Sequence, residues 1–158
     1  AGLAADLVGA GRTGHKAGGG YYLYGGAARQ GREDAGLAER LEACRDRAGL
    51  VARPVAAEEI RKVALAVMAN EGARLLAEGA VRHPAEIDVA MMLGQGYPRW
   101  RGGPMQAADE AGLLPLRAVL RDLGRDEAYW RPDPLWDELI KNGRRFADLN
   151  GPEALRVS

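Results

Sequence analysis

From residue 37 onward apolar side chains recur at helical spacing, and proline and glycine cut that pattern into segments. Over residues 58–78, Ile60, Val63, Val67, Met68, Leu75 and Leu76 return at steps of three, four and seven. This predicts the longest helix, with those residues as its buried face and acids at its N-terminus. Residues 37–48 predict a shorter helix with Leu37, Leu41 and Cys44 on one face, closed by Gly49. Further on, prolines open segments that glycines close. Pro84 begins a helix stopped by Gly94, with Ile87, Ala90 and Met91 facing inward. Pro104 precedes residues 105–111 and Gly112, Pro115 precedes 116–123 and Gly124, and Asp133-Pro134 precedes 135–142 and Gly143. Tyr21-Tyr22-Leu23-Tyr24 is strand-like but too short and solitary to build a sheet. The expected fold is all-α: a helical bundle preceded by a Gly-rich loop with at most one short strand.

Composition narrows the function classes. Half of the 22 glycines fall in the first 36 residues, so that stretch cannot be helical throughout. Lysine and arginine number 22, aspartate and glutamate 22, and the pI is near 7.0. A neutral chain lacks the cationic surface from which nucleic-acid affinity derives, so no nucleic-acid partner is expected. The longest apolar run, residues 63–69, is far short of a membrane span. A lone Cys44 excludes an intramolecular disulfide and any Cys-rich metal site, which points to a reducing, cytoplasmic setting.

The chain also echoes itself. Leu3-Ala4-Ala5-Asp6-Leu7-Val8-Gly9-Ala10-Gly11-Arg12 aligns without gaps on Leu135-Trp136-Asp137-Glu138-Leu139-Ile140-Lys141-Asn142-Gly143-Arg144. Both leucines, the glycine and the arginine are identical, and Asp6/Glu138 and Val8/Ile140 are close substitutions. Two readings stand. Ala-rich helices ending in Gly-Arg match by chance, or the chain begins inside the last helix of a first copy and then runs through a complete second copy, from residue 58 to about residue 149.

Several residues invite a chemical reading. Gly9-Ala10-Gly11-Arg12-Thr13-Gly14 fits G-x-G-x-x-G, but a dinucleotide fingerprint needs a strand before it and a long helix after it. Here a helical pattern precedes it and more glycine follows. Arg12, His15 and Lys16 are cations beside flexible backbone, which suits either a phosphate-cradling loop or a plain helix exit. His15 and His83 are too few for a metal centre without carboxylate partners, and His83 precedes Pro84, where a helix cap is expected. Glu71 lies close to the apolar stripe, either as an acid of raised pKa or as a structurally bonded group. Residues 94–104, with Tyr97, Arg99, Trp100 and Arg101, suit stacking on a planar ligand or a rigid interhelical loop or subunit contact. No catalytic constellation can be assembled.

Gly11-Arg12-Thr13-Gly14-His15-Lys16-Ala17-Gly18-Gly19-Gly20-Tyr21-Tyr22-Leu23-Tyr24 resembles the G-R-x-G-x-K-x-G-x-G-[FY]-Y-x-Y signature that closes the first helical repeat of 3-hydroxyacyl-CoA dehydrogenases. The resemblance is to the tandem version found in bacterial multifunctional fatty-acid oxidation proteins. Asn70-Glu71-Gly72-Ala73-Arg74-Leu75-Leu76-Ala77-Glu78-Gly79 and Pro84-Ala85-Glu86-Ile87-Asp88 are similar to N-E-A-x-R-x-L-x-E-G and P-x-[DE]-I-D of the second repeat. Gly94-Gln95-Gly96-Tyr97-Pro98 and Arg101-Gly102-Gly103-Pro104 are similar to its G-x-G-[FY]-P and R-G-G-P.

The resemblance implies the C-terminal part of an NAD-dependent enzyme that oxidises a 3-hydroxyacyl-CoA in fatty-acid β-oxidation. Residues 1–36 would be the tail of a truncated first repeat with its Gly-rich loop, 37–57 a linker with a short helix, and 58–158 the second repeat. In the family the NAD domain and the His/Glu pair precede this region, so no catalytic, cofactor-binding or metal residue is expected here. The first repeat's substrate-side asparagine sits in a V-N-R context. Its counterpart here is Lys62, between Arg61 and Val63, so that motif is absent. Arg12, His15 and Lys16 are the candidate contacts to coenzyme A phosphates. A cut first repeat leaves Leu3, Leu7 and the Tyr21–Tyr24 segment without their partner, which predicts self-association into a homo-oligomer or a rearranged N-terminal segment. The alternative is a stand-alone helical dimerisation or interaction module without catalysis.

Overall fold

A computed structural model describes residues 2–25 and 30–151. They form two compact units, divided between residues 54 and 55. Among the described residues there are seven α-helices and only isolated β-bridges.

The first unit holds α1 (Leu3–Gly9) and α2 (Ala35–Ala48) on either side of the Gly-rich segment. Helix α2 begins two residues earlier than the apolar pattern predicts. The Asp34 carboxylate accepts the Gly36 N–H at 3.0 Å and so caps the helix from that point. Although residues 37–48 read as linker, α2 packs with α1 inside this unit. Cys44 is buried on the predicted face, whereas Leu37 and Leu41 are half-buried. Leu7 is 2% exposed, so it is not the orphaned apolar residue the sequence suggests, and the exposed large apolar groups described in this unit are Val8, Tyr21, Tyr22, Leu50 and Val51.

In the second unit α3 (Ala57–Ala77) packs against α5 (Pro104–Ala111), α6 (Leu113–Asp126) and α7 (Pro134–Lys141). Helix α4 (Pro84–Gly94) packs on α5. Prolines occupy the first turns of α4, α5 and α7, as predicted, and Asp133 caps α7 through the Leu135 N–H. The core contains Trp136, Phe146, Met105, Leu116, Leu120 and Leu139, with Trp136 edge-on to Phe146 at 5.2 Å between ring centroids.

The buried face of α3 differs from the predicted one. Ala66, Ala69, Gly72 and Ala73 line it, while Ile60 is 58% exposed and Val63, Val67, Met68, Leu75 and Leu76 are half-buried. Small side chains let the neighbouring helices approach closely, so the contact line lies between the large residues. A Cβ at Gly72 would stand 2.4 Å from the Met105 sulfur. Gly124 also departs from expectation. It lies inside α6, where a Cβ would meet the Arg131 backbone at 3.0 and 3.1 Å, so it serves close approach and does not stop the helix. On α4, Ala90 is exposed and Asp88 is buried instead.

The two echoing segments end alike. After α1, Gly11 adopts φ 72, Gly11 N–H donates to Val8 O at 2.9 Å and Arg12 N–H to Leu7 O at 2.8 Å. After α7, Gly143 adopts φ 63, Gly143 N–H donates to Ile140 O at 3.2 Å and Arg144 N–H to Leu139 O at 2.8 Å. Both are Schellman endings, and a single 3-10 turn follows each, His15–Ala17 and Phe146–Leu149. Paired bonds of the same kind close α2 at Gly49 and α3 at Gly79, so the shared cap is a property of helix ends and does not by itself mark a duplication.

Candidate functional site

The loop after α1 is built around Arg12. Its guanidinium donates to the Asp34 carboxylate and, at 2.7 Å, to the Gly20 carbonyl, and only 16% of the side chain is exposed. Glycines make the enclosure possible, since a Cβ at Gly20 would lie 3.1 Å from the Gly14 Cα. The Arg12 guanidinium in turn holds Asp34 below the ordinary carboxylate value, with the Gly36 N–H adding to the effect. His15 packs its ring on Tyr24, at 4.9 Å between centroids, and both His15 and Lys16 are exposed on the 3-10 turn. The three predicted cations therefore do not share one role. Arg12 is committed to its own loop, and the other two lie on an exposed turn.

A dinucleotide does not fit the G-x-G-x-x-G stretch. It follows a helix, and a single turn of 3-10 helix stands where the phosphate-binding helix would begin. Beside this loop, Asp6 accepts from Arg47 and, at 3.2 Å, from the Cys44 thiol, contacts that draw Asp6 down and Arg47 up.

In the helical unit the residues of the motifs serve as clamps. Asn70 is 2% exposed and uses both ends of its amide: Nδ2 donates to Arg131 O at 3.0 Å, and Oδ1 accepts the Asp133 N–H at 2.9 Å. It ties α3 to the entry of α7. Glu71, one residue and 100° further round the helix, faces out and pairs with Arg74 and the Tyr129 hydroxyl, so it is not a buried acid. Asp88 accepts the N–H groups of Met105 at 2.7 Å and Gln106 at 3.2 Å, capping α5 from α4. Gly103, at φ 105, allows this, because a Cβ there would stand 2.3 Å from Asp88 Oδ1. Asp109 plays the same part for the last 3-10 turn through the N–H groups of Phe146 and Ala147 at 2.9 and 2.8 Å. Burial pushes both carboxyls up, against the pull of those N–H bonds.

These clamps were only partly visible in sequence. P-x-E-I-D and R-G-G-P were legible as motifs, but nothing in their spacing joins Asp88 to Gly103, and Asp109 carries no motif at all. His83 occupies the N-cap position of α4, as expected, with Nδ1 3.2 Å from Leu149 O.

The second unit also holds a cleft of about 710 Å³ between the first half of α3, the 97–101 loop and the start of α6. Leu65, Met68 and Leu116 supply apolar lining; Arg61, Lys62 and Arg101 supply positive charge, and Glu58 and Glu110 negative charge. Trp100, beside it in the loop, is 79% exposed and carries the Arg101 guanidinium 4.6 Å above its ring. Among the described residues, no group of His, Cys, Asp and Glu is arranged to hold a metal ion, and no helix is long and apolar enough to cross a membrane.

Comparison with known proteins places these features. The sequence model of the 3-hydroxyacyl-CoA dehydrogenase C-terminal domain matches residues 61–147. The peroxisomal bifunctional enzyme of Danio rerio is 34% identical over 137 residues, covering 84% of this chain and 19% of that protein. The fatty acid oxidation complex subunit alpha of Shewanella amazonensis is 35% identical over 140 residues, covering 85% and 19%. The peroxisomal fatty acid beta-oxidation multifunctional protein AIM1 of Arabidopsis thaliana is 28% identical over 147 residues, covering 90% and 20%. The chain thus spans about a fifth of the length of these curated relatives.

Proposed function

The chain belongs to the family of 3-hydroxyacyl-CoA dehydrogenase C-terminal domains, and on that premise we propose that it is the C-terminal part of an NAD-dependent 3-hydroxyacyl-CoA dehydrogenase of fatty-acid β-oxidation. Its role there is architectural. One observation carries this reading: Asn70, Asp88 and Gly103, which sit in the family-like motifs, are spent on joining helices. Oxidation of the 3-hydroxyl, with hydride passing to NAD, falls to residues outside this chain. The helical repeat supports them.

The test compares the 158-residue chain with the longer protein that contains it, following NADH absorbance with a 3-hydroxyacyl-CoA. Turnover by the longer protein and none by the chain is the expected result. Turnover by the chain alone overturns the architectural role, and none by either favours a non-catalytic interaction module.

Of the loop cations, we assign contact with coenzyme A phosphates to His15 and Lys16, since Arg12 is held by Asp34 and Gly20. We further propose a homo-oligomer that uses the exposed Val8, Tyr21 and Tyr22, which sedimentation would report. The single free cysteine supports a cytoplasmic setting, whereas two of the relatives above are named peroxisomal, and imaging of the tagged protein separates the two.

A further inference from the structure

The two echoing helices differ in what covers the same face. On α1, Asp6 stands three residues after Leu3, and α2 packs there: Asp6 accepts from the Arg47 guanidinium and, at 3.2 Å, from the Cys44 thiol. The echo matches Leu3 and Asp6 to Leu135 and Glu138 of α7. Each helix turns its next leucine inward, Leu7 being 2% and Leu139 1% exposed, so Asp6 and Glu138 stand at the same rotation from the buried side. That equivalence follows from helix geometry and needs no common origin. On α7, however, the face is open. Leu135 and Glu138 line a cleft of about 640 Å³, whose apolar wall is completed by Leu76, Val81 and Leu149. Its charges lean acidic, with Arg82 the one basic residue lining it among those described, against Glu138 and Asp133. Asp133 is spent on the Leu135 N–H and the neighbouring Asp137 takes Arg117, but Glu138 has no ion-pair partner among the described residues. An apolar groove edged by an unpaired carboxylate, at the position where Asp6 receives Arg47, sets the chemistry of what fits.

We propose that this cleft docks an amphipathic helix of a partner protein, with apolar side chains lying over Leu135 and Leu149 and an arginine pairing with Glu138 as Arg47 pairs with Asp6. The arginine follows an apolar residue by three positions, the spacing of Cys44 and Arg47. Apolar burial holds the helix in the groove, and the ion pair fixes its register. The surface lies within the chain itself and does not depend on the dehydrogenase reading.

The probe is a synthetic peptide of residues 35–49, the α2 sequence, titrated under reducing conditions into the full chain while leucine methyl resonances are followed by NMR. Leu135 and Leu149 should shift saturably, and Leu7 should not, because the chain's own α2 already packs on α1. A peptide carrying Arg47→Glu should bind at least about fivefold more weakly, and so should the unchanged peptide to a Glu138→Lys chain. The two changes together should restore binding, which separates a specific pair from general charge attraction. Glu138 is exposed, so a circular-dichroism melt of the variant should match the parent and keep the comparison interpretable. Unmoved Leu135 and Leu149, a shift confined to Leu7, or failure of the paired changes to rescue binding would each overturn the proposal. A shift of the same methyls with protein concentration alone would overturn it by giving the face to a second copy. Binding that emerges only once residues 152–158 are removed would overturn it by giving the face to that segment.

Discussion

In the Gly-rich unit Asp6 and Asp34 are each gripped by an arginine, whereas in the helical unit Asp88 and Asp109 are bonded to backbone N–H groups at the start of another element. The carboxyls accordingly move in opposite directions. Hydrogen bonds from Arg47 and Arg12 lower Asp6 and Asp34, and loss of water raises Asp88 and Asp109. The cause lies in what each unit buries. Leu7 and Cys44 are the buried apolar residues described in the first unit, so its loop is tied down by ion pairs near water. The second has a dry core of aromatic and aliphatic side chains, where a carboxylate is tolerable only if helix-terminal N–H groups receive it.

The strongest challenge to this contrast is a double-mutant cycle on Asp88 and Gly103. Asp88→Ala strands two N–H groups at the start of α5 and should cost roughly 3 kcal/mol in urea unfolding. Gly103→Ala should cost a similar amount, because its methyl group collides with the carboxylate. In the Asp88→Ala background that second cost should shrink because the carboxylate is gone, while the strain of the positive φ and the clash with the Cβ of residue 88 remain. Full additivity would mean that the two residues do not form one device.

Asn70→Ala comes next. It leaves the Asp133 N–H unpaired and the Arg131 carbonyl with only the longer bond from Arg74, at an expected cost of about 2 kcal/mol, and should loosen the entry to α7 in hydrogen exchange. Asn70→Asp keeps the acceptor and loses the donor, so it should restore only part of that loss.

The gentlest test is acidity. Asp88 and Asp109 bind protons more tightly folded than unfolded, so their contribution is complete below the ordinary value of 3.8 and is lost as pH rises through their higher folded values. Asp6 and Asp34 behave conversely, contributing above 3.8 and losing that contribution as pH falls through their lower folded values. Carboxyl carbon resonances should therefore titrate on opposite sides of 3.8 in the two units. Coincident titrations would dissolve the contrast.

The legible parts of the sequence are those governed by local backbone rules. Proline at the first turn placed α4, α5 and α7, and glycine with positive φ marked the ends at Gly49, Gly112 and Gly143. Where a neighbour from a distant part of the chain decides, the pattern misled. The large apolar residues of α3 look like its core face, yet Ala66, Ala69 and Ala73 fill it because two helices come close there. Gly124 reads as a stop and is a contact surface for Arg131. Arg12 reads as a loose cation, while Asp34, which draws it inward, stands 22 positions away. The shared cap of the two echoing helix exits is itself a product of local rules, since the same cap closes α2 and α3.

Because the first turn of α5 is anchored by a side chain of α4, its start does not rest solely on the segment from Gln95 to Arg101 that leads into it. Inserting residues between Arg99 and Trp100, which lie between the two motifs, should leave the rest of the bundle in register, which makes the Trp100 bend a permissive point at which to graft a tag.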